Sequence, residues 1–224
     1  MSHAASVSWR LASRVQWLVA AFVVTGCFRG KLPPREFYRL TVPDSLARTS
    51  GRSAPAPLSG SVAIVAYATP GIYGSGSVVY RVGSSAYGVY PTREWAIPLG
   101  EMLGAMTETV MQHRGFSSGR ALFDPAVPRR EQYEWRGMVR EFDEVDESAS
   151  VSAAVTVAAQ LVRVADDSVL WAGAARETQA VAESRKIESV IAALSVASSR
   201  AITRLTDDAA SALRRVSAAG AQDR

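Results

Sequence analysis

The stretch at residues 151–161, VSAAVTVAAQL, alternates Val151, Ala153, Val155, Val157, Ala159 and Leu161 with Ser, Ala, Thr, Ala and Gln. A period of two sustained this long predicts a β-strand with one face in a core. Asp166-Asp167-Ser168 breaks the pattern before Val169 to Thr178 resumes it, so the two runs read as a hairpin. From about Ser184 the period changes. Ile187, Val190, Ile191, Leu194, Ala201, Leu205 and Leu213 recur at helical spacing, giving a long amphipathic helix with a second cap expected at Thr206 or Asp207. A hairpin and a helix that each carry one apolar face can bury those faces on one another.

Toward the N-terminus, Tyr133, Trp135, Gly137 and Val139 alternate as a further strand. Pro98 fits the first turn of a helix whose Leu99, Met102, Leu103, Met106 and Val110 share a side, and Gly115 ends it. Val62 to Ala66 is a near-continuous apolar run, the mark of a strand covered on both faces. Residues 69–77 form a turn region, followed by short strands at Val78 to Val82 and Ala86 to Tyr90, and Glu36 to Val42 makes a first strand. The fold class is α/β (α+β): a single sheet with packed helices and a long C-terminal helix. Residues 43–60, rich in Pro, Ser, Ala and Gly, read as a mobile loop; residues 61–216 form the main domain and 217–224 a disordered tail.

At 224 residues and 48% hydrophobic content the chain can build a sizeable core. It contains one Cys, which excludes an internal disulfide and a Cys-based zinc site. The two histidines, His3 and His113, are far apart, and His113, late in a helix, is expected to cap it or to face solvent. The net charge of +4 is uneven: Arg10 and Arg14 lie in the first 26 residues, which hold no acid, and without that segment Lys+Arg falls from 25 to 23 against 21 acids. No continuous basic stripe remains to track a phosphate backbone, so nucleic acid is not an expected partner.

Residues 1–27, MSHAASVSWRLASRVQWLVAAFVVTGC, place two arginines before an apolar run from Val15 to Val24 and end on Thr25-Gly26-Cys27. The run is about half of the roughly 20 residues needed to span a bilayer, and its order is that of a secretory signal. Its ending resembles a bacterial lipoprotein lipobox. The resemblance implies cleavage between Gly26 and Cys27, a diacylglycerol on the Cys27 thiol and an acyl group on the new N-terminus, making 1–26 a signal peptide and 27–60 a lipidated tether with the first strand and the loop. Two or three chains at about 0.8 kcal/mol per buried CH₂ make escape from a membrane very slow. Phe28, where Asp would favour inner-membrane retention, points to the periplasmic face of the outer membrane. Phe28 to Pro34 reaches roughly 25 Å at full extension, so the folded part sits near the bilayer.

Three further features carry candidate chemistry. Gly71, Gly74 and Gly76 lack the Gly-Lys-Ser/Thr ending of a phosphate loop and read as turn glycines. Glu141, Asp143, Glu144, Asp146 and Glu147 lack EF-hand spacing and read as a solvated hairpin end. Tyr67, Tyr73, Tyr80, Tyr87, Tyr90 and Trp95 crowd some thirty residues. They either pack the sheet or are displayed to a partner, and Tyr73, Tyr80, Tyr87, Tyr90 and Trp95 are the candidate partner-binding residues.

In order, Cys27, Pro34-Arg-Glu-Phe-Tyr38-Arg-Leu40, the strand from Val62, Ser77-Val-Val-Tyr80-Arg81, Arg93-Glu-Trp95-Ala-Ile-Pro-Leu99 and a closing amphipathic helix resemble the ABC-type transport auxiliary lipoprotein family. The resemblance implies a sandwich akin to anticodon-binding-domain-like folds. It also implies a non-enzymatic lipoprotein, without cofactor, that works with an ABC transporter and a mammalian-cell-entry-domain protein carrying lipids between membranes, as a homo-oligomeric ring receiving a tunnel. A different expectation is a structural or assembly lipoprotein that binds envelope proteins or peptidoglycan. Cys27→Ser is expected to leave the fold intact and move the protein to the soluble fraction; membrane fractionation of that variant checks it.

Overall fold

The computed structural model describes residues 33–43, 56–124, 131–147, 150–183 and 186–222. Among them are β1 (Glu36–Tyr38), β2 (Val62–Ile64), a 3₁₀ turn (Gly71–Ser75), β3 (Ser77–Val82), β4 (Ala86–Trp95), α1 (Leu99–Arg114), β5 (Ala121–Phe123), β6 (Tyr133–Glu147), β7 (Ser150–Arg163), β8 (Ser168–Ala180) and α2 (Ile187–Gln222). The strands form one sheet organised by β6. One edge of β6 pairs antiparallel with β7 along its length, and β7 pairs with β8. Its other edge is divided: Tyr133–Trp135 pair parallel with β2, Glu144–Asp146 pair parallel with β3, and Ala68 bridges Met138 between them. β5 extends the β2 wing, while β4 and then β1 extend the β3 wing.

The predicted hairpin is β7–β8, with Asp167 in the left-handed region at φ 54 and Asp166 accepting from the Ser168 backbone and hydroxyl. Both helices pack on one face of the sheet. α1 seats its expected apolar side, with Leu99, Met102, Leu103, Met106 and Val110 all buried. Gly115 closes it at φ 59, its N–H directed at the Met111 and Gln112 carbonyls, Pro98 is the N-cap, and His113 faces solvent. The helix lies close to the sheet because Gly100 has no side chain: a Cβ there would overlap the Tyr67 carbonyl oxygen, whereas Tyr67 N–H donates to Gly100 O at 3.0 Å. Tyr67 is a buried hub. Its ring covers Gly137, and its hydroxyl pairs with Thr107 Oγ1 at 2.9 Å and accepts from Trp135 Nε1 at 3.1 Å.

α2 is continuous, and the expected second cap is not there. Thr206 instead donates back to the Ile202 carbonyl at 2.9 Å within the helix, as Ser198 does to Leu194. These bonds satisfy buried hydroxyls without a break, so the stripe from Ile187 to Ala210 stays in one core with the sheet. The helix persists to Gln222, so the tail expected to be disordered from 217 is helical that far; its Ala-rich composition favours this. Among the described residues no helix is long and apolar enough to cross a membrane.

Other boundaries move for identifiable reasons. The compact body begins at Arg35 rather than 61, because β1 pairs with Arg93–Trp95 of β4. Beyond β1, Leu40 N–H approaches Met102 Sδ and Thr41 N–H donates to Ser195 Oγ at 3.2 Å, so this segment lies across both helices. β4 passes through Pro91 to Trp95; the missing N–H falls where the β3–β4 register is interrupted. Within the expected loop, residues 44–55 lie outside the described residues, and Leu58 is buried and bridges Ser117. Gly100→Ala should cost about 1–3 kcal/mol through overpacking. Thermal unfolding followed by circular dichroism checks this, and wild-type stability would mean α1 is not seated against Tyr67.

Candidate docking site

The β3–β4 hairpin turns at Gly83, φ 61, and carries the aromatic residues singled out in the sequence. Strand alternation sends them to two faces. On the helix side, Tyr80 lies directly over Gly88, where any Cβ would strike its ring, and stands 5.0 Å from the Tyr90 ring. Tyr90 donates to Glu144 Oε2 at 2.6 Å while the Arg93 guanidinium lies 4.7 Å from its ring centre. Trp95 is only 7% exposed and packs edge-on to Phe142 in the core. On the open side, Tyr73 from the 3₁₀ turn donates to Asp143 Oδ1 at 2.6 Å. Tyr87 is 50% exposed, its ring 5.8 Å from the Arg81 guanidinium, and Val89 shares its face, whereas exposed Val82 lies on the face of Tyr80.

What holds this hairpin is an ion network invisible in a run-by-run reading. Arg81 on β3 donates from Nε to Asp143 at 3.1 Å and from Nη2 to Glu141 at 2.8 Å, both on β6. Glu141 also accepts from Thr156 on β7 at 2.8 Å and from Arg176 Nε on β8 at 3.0 Å. Four strands and the 3₁₀ turn are thereby joined through side chains. Only Asp146 and Glu147 are the solvated hairpin end that was expected; Asp143 is fully buried and Glu144 nearly so, inside β6. A bulge between Val139 and Glu141 changes the strand's parity and turns Glu141 and Asp143 toward Arg81. The one sequence signal for it is a lone Arg81 inside the otherwise uncharged SVVYRV.

Protonation follows from these contacts. Burial and the bond to Asp143 push the Tyr73 phenol up, as burial and Glu144 do for Tyr90. Burial raises Glu144 above the ordinary carboxylate range, more than the Tyr90 hydroxyl offsets. Glu141 is also desolvated, yet the Thr156 and Arg176 bonds outweigh this and hold it below that range. Gly26 and Cys27 lie outside the described residues. Gly71 and Gly76, at φ 63 and 81, are turn residues as expected.

Asp143→Ala, which strands Arg81 and Tyr73, should cost about 3 kcal/mol or more by the usual cost of breaking a buried pair, read by urea unfolding. The two glutamates should act oppositely with pH. Glu141, lowered in the folded state, contributes stability that is present above about pH 4.3 and lost as pH falls through its folded value. Glu144, raised, costs stability as pH climbs through the window above its unfolded value. At neutral pH, Glu141→Gln should lower the unfolding midpoint and Glu144→Gln should not.

No protein-family model matches the chain, and no curated protein matches it in sequence. Solved structures share its fold. A Xanthomonas campestris protein of the DUF330 family superposes with TM-score 0.67 at 18% identity, covering 81% of this chain and 98% of its own. An uncharacterized protein superposes with TM-score 0.59 at 10% identity, covering 79% of this chain and 99% of its own. The lipoprotein GNA1162 of Neisseria meningitidis aligns at TM-score 0.36 and 12% identity, over 60% of this chain and 90% of its own, too weakly to show a shared fold.

Proposed function

We propose, from a fold shared with a DUF330 protein and a lipobox ahead of it, that this chain is a lipid-anchored, non-catalytic envelope protein. In this reading it is the auxiliary component of an ABC and mammalian-cell-entry-type lipid transport system. Cys27 holds it at the periplasmic face of the outer membrane, and the β3–β4 hairpin docks the tunnel protein.

The observation that carries the docking reading is the pairing of display with rigidity. Tyr87 and Val89 are exposed on a hairpin whose base is fixed by Arg81 to two buried or half-buried carboxylates and whose far face is locked by Tyr80 over Gly88. An aromatic held this way loses little conformational freedom on binding, which is how a few residues come to dominate an interface. The physical need is plain: lipid crossing a water-filled gap exposes its methylenes at about 0.8 kcal/mol each, and a docked body at the outer membrane closes that gap.

The experiment is capture of the mammalian-cell-entry-domain protein by full-length chain and by Tyr87→Ala/Val89→Ala. Removing a central aromatic typically costs about 2 kcal/mol, or roughly 30-fold in affinity, while these exposed positions should leave thermal stability near wild type. Recovery of sacculus or assembly components with no cell-entry-domain protein would favour the structural lipoprotein instead.

A further inference from the structure

The face of the sheet opposite the helices departs from what an exposed antiparallel face ordinarily shows, which is polar side chains. Across it runs a row of small or soft residues in register: Ala68 bridges Met138, Met138 pairs with Ala158, and Ala158 pairs with Ala174. Ala172, Ala174 and Met138 are exposed, Met138 at 45%. Longer side chains stand on either side, Arg136 and Gln160 along one flank, Arg140, Thr156 and Arg176 along the other. The result is a groove of about 430 Å³ with a mostly apolar lining, within the range of small-ligand sites.

Its dimensions select an occupant. Four chains at about 4.8 Å spacing give a trough roughly 14 Å long. Its floor is one row of residues wide, too narrow to seat a helix of about 10–12 Å diameter but wide enough for one hydrocarbon chain. Charge selects the rest. Arg136 is already paired with Glu134 and Asp167, and Arg176 with Glu141. Arg140, the extra residue of the β6 bulge, is exposed at the rim and has no acid partner among the described residues. A guanidinium free to take a carboxylate in bidentate fashion, beside an apolar slot with a pliable Met in its floor, matches a monoanionic single-chain amphiphile. We propose that this groove binds one medium-chain fatty acid, the chain along the Met138–Ala158–Ala174 row and the carboxylate on Arg140.

The test uses full-length protein in zwitterionic nanodiscs with a trace of diazirine-bearing decanoate, crosslinked and mapped by mass spectrometry. Labels should concentrate between Arg136 and Arg140 and between Ala172 and Ala174. Ala174→Trp, which fills the slot from an exposed position, should reduce labelling at least tenfold with thermal stability retained. Arg140→Glu should reduce it about threefold, the size expected of one solvated ion pair. Equal labelling of the Ala174→Trp variant, labels scattered over the surface, or a wild-type dimer that Ala174→Trp dissociates would overturn the proposal. The last outcome would assign the face to a second copy. The site stands apart from the hairpin: Tyr87→Ala should keep wild-type labelling whether or not it loses a partner.

Discussion

One inserted residue in β6 sets the character of both faces of the sheet. Up to Val139 the strand sends its odd positions, Trp135 and Val139, into the helix-packed core; past Arg140 it is Phe142 that enters it. Without that change of parity Glu141 and Asp143 would face α1 and α2, and two carboxylates would be buried against Leu and Val side chains with no partners. With it, they meet Arg81, Thr156 and Arg176. The same insertion leaves Arg140 itself outside the ladder. Core, ion network and outer groove are thus three results of one local irregularity.

That irregularity also marks where sequence reading stopped working. The β7–β8 hairpin, α1 with its Gly115 end, and the stripe of α2 were legible because each is a long periodic run bounded by a recognisable breaker. The single mixed sheet with two helices on it follows from them. The acids of β6 were not legible, because a run of Glu and Asp has the same composition in solvent as when paired, and the pairing depends on a register that only the tertiary fold supplies. Arg81 and Arg176 come from strands far from β6 in sequence. Trp95 was read from aromatic crowding alone, yet burial in the core against Phe142 is its role here; Tyr87, one position of a similar kind, stands half in solvent. Crowding identifies the hairpin but not the face each ring takes.

The two candidate surfaces differ in construction. The hairpin offers protruding, rigid aromatic and β-branched groups; the open sheet face offers a recess floored by residues too small to fill it. Protrusions suit a macromolecular partner with a complementary pocket, and recesses suit a ligand that brings its own bulk. Both sit on the side of the sheet away from the helices.

β1 has only three residues, yet it is the first ordered step after Pro34 and is zipped to β4, the strand that also bears Tyr87. If the chain is moored ahead of Pro34, a pull applied at Tyr87 would run through two paired strands, β4 and β1. That line meets the core at Trp95, which pairs with Tyr38 and packs on Phe142. A load on the edge strands would therefore be shared with the packed interior.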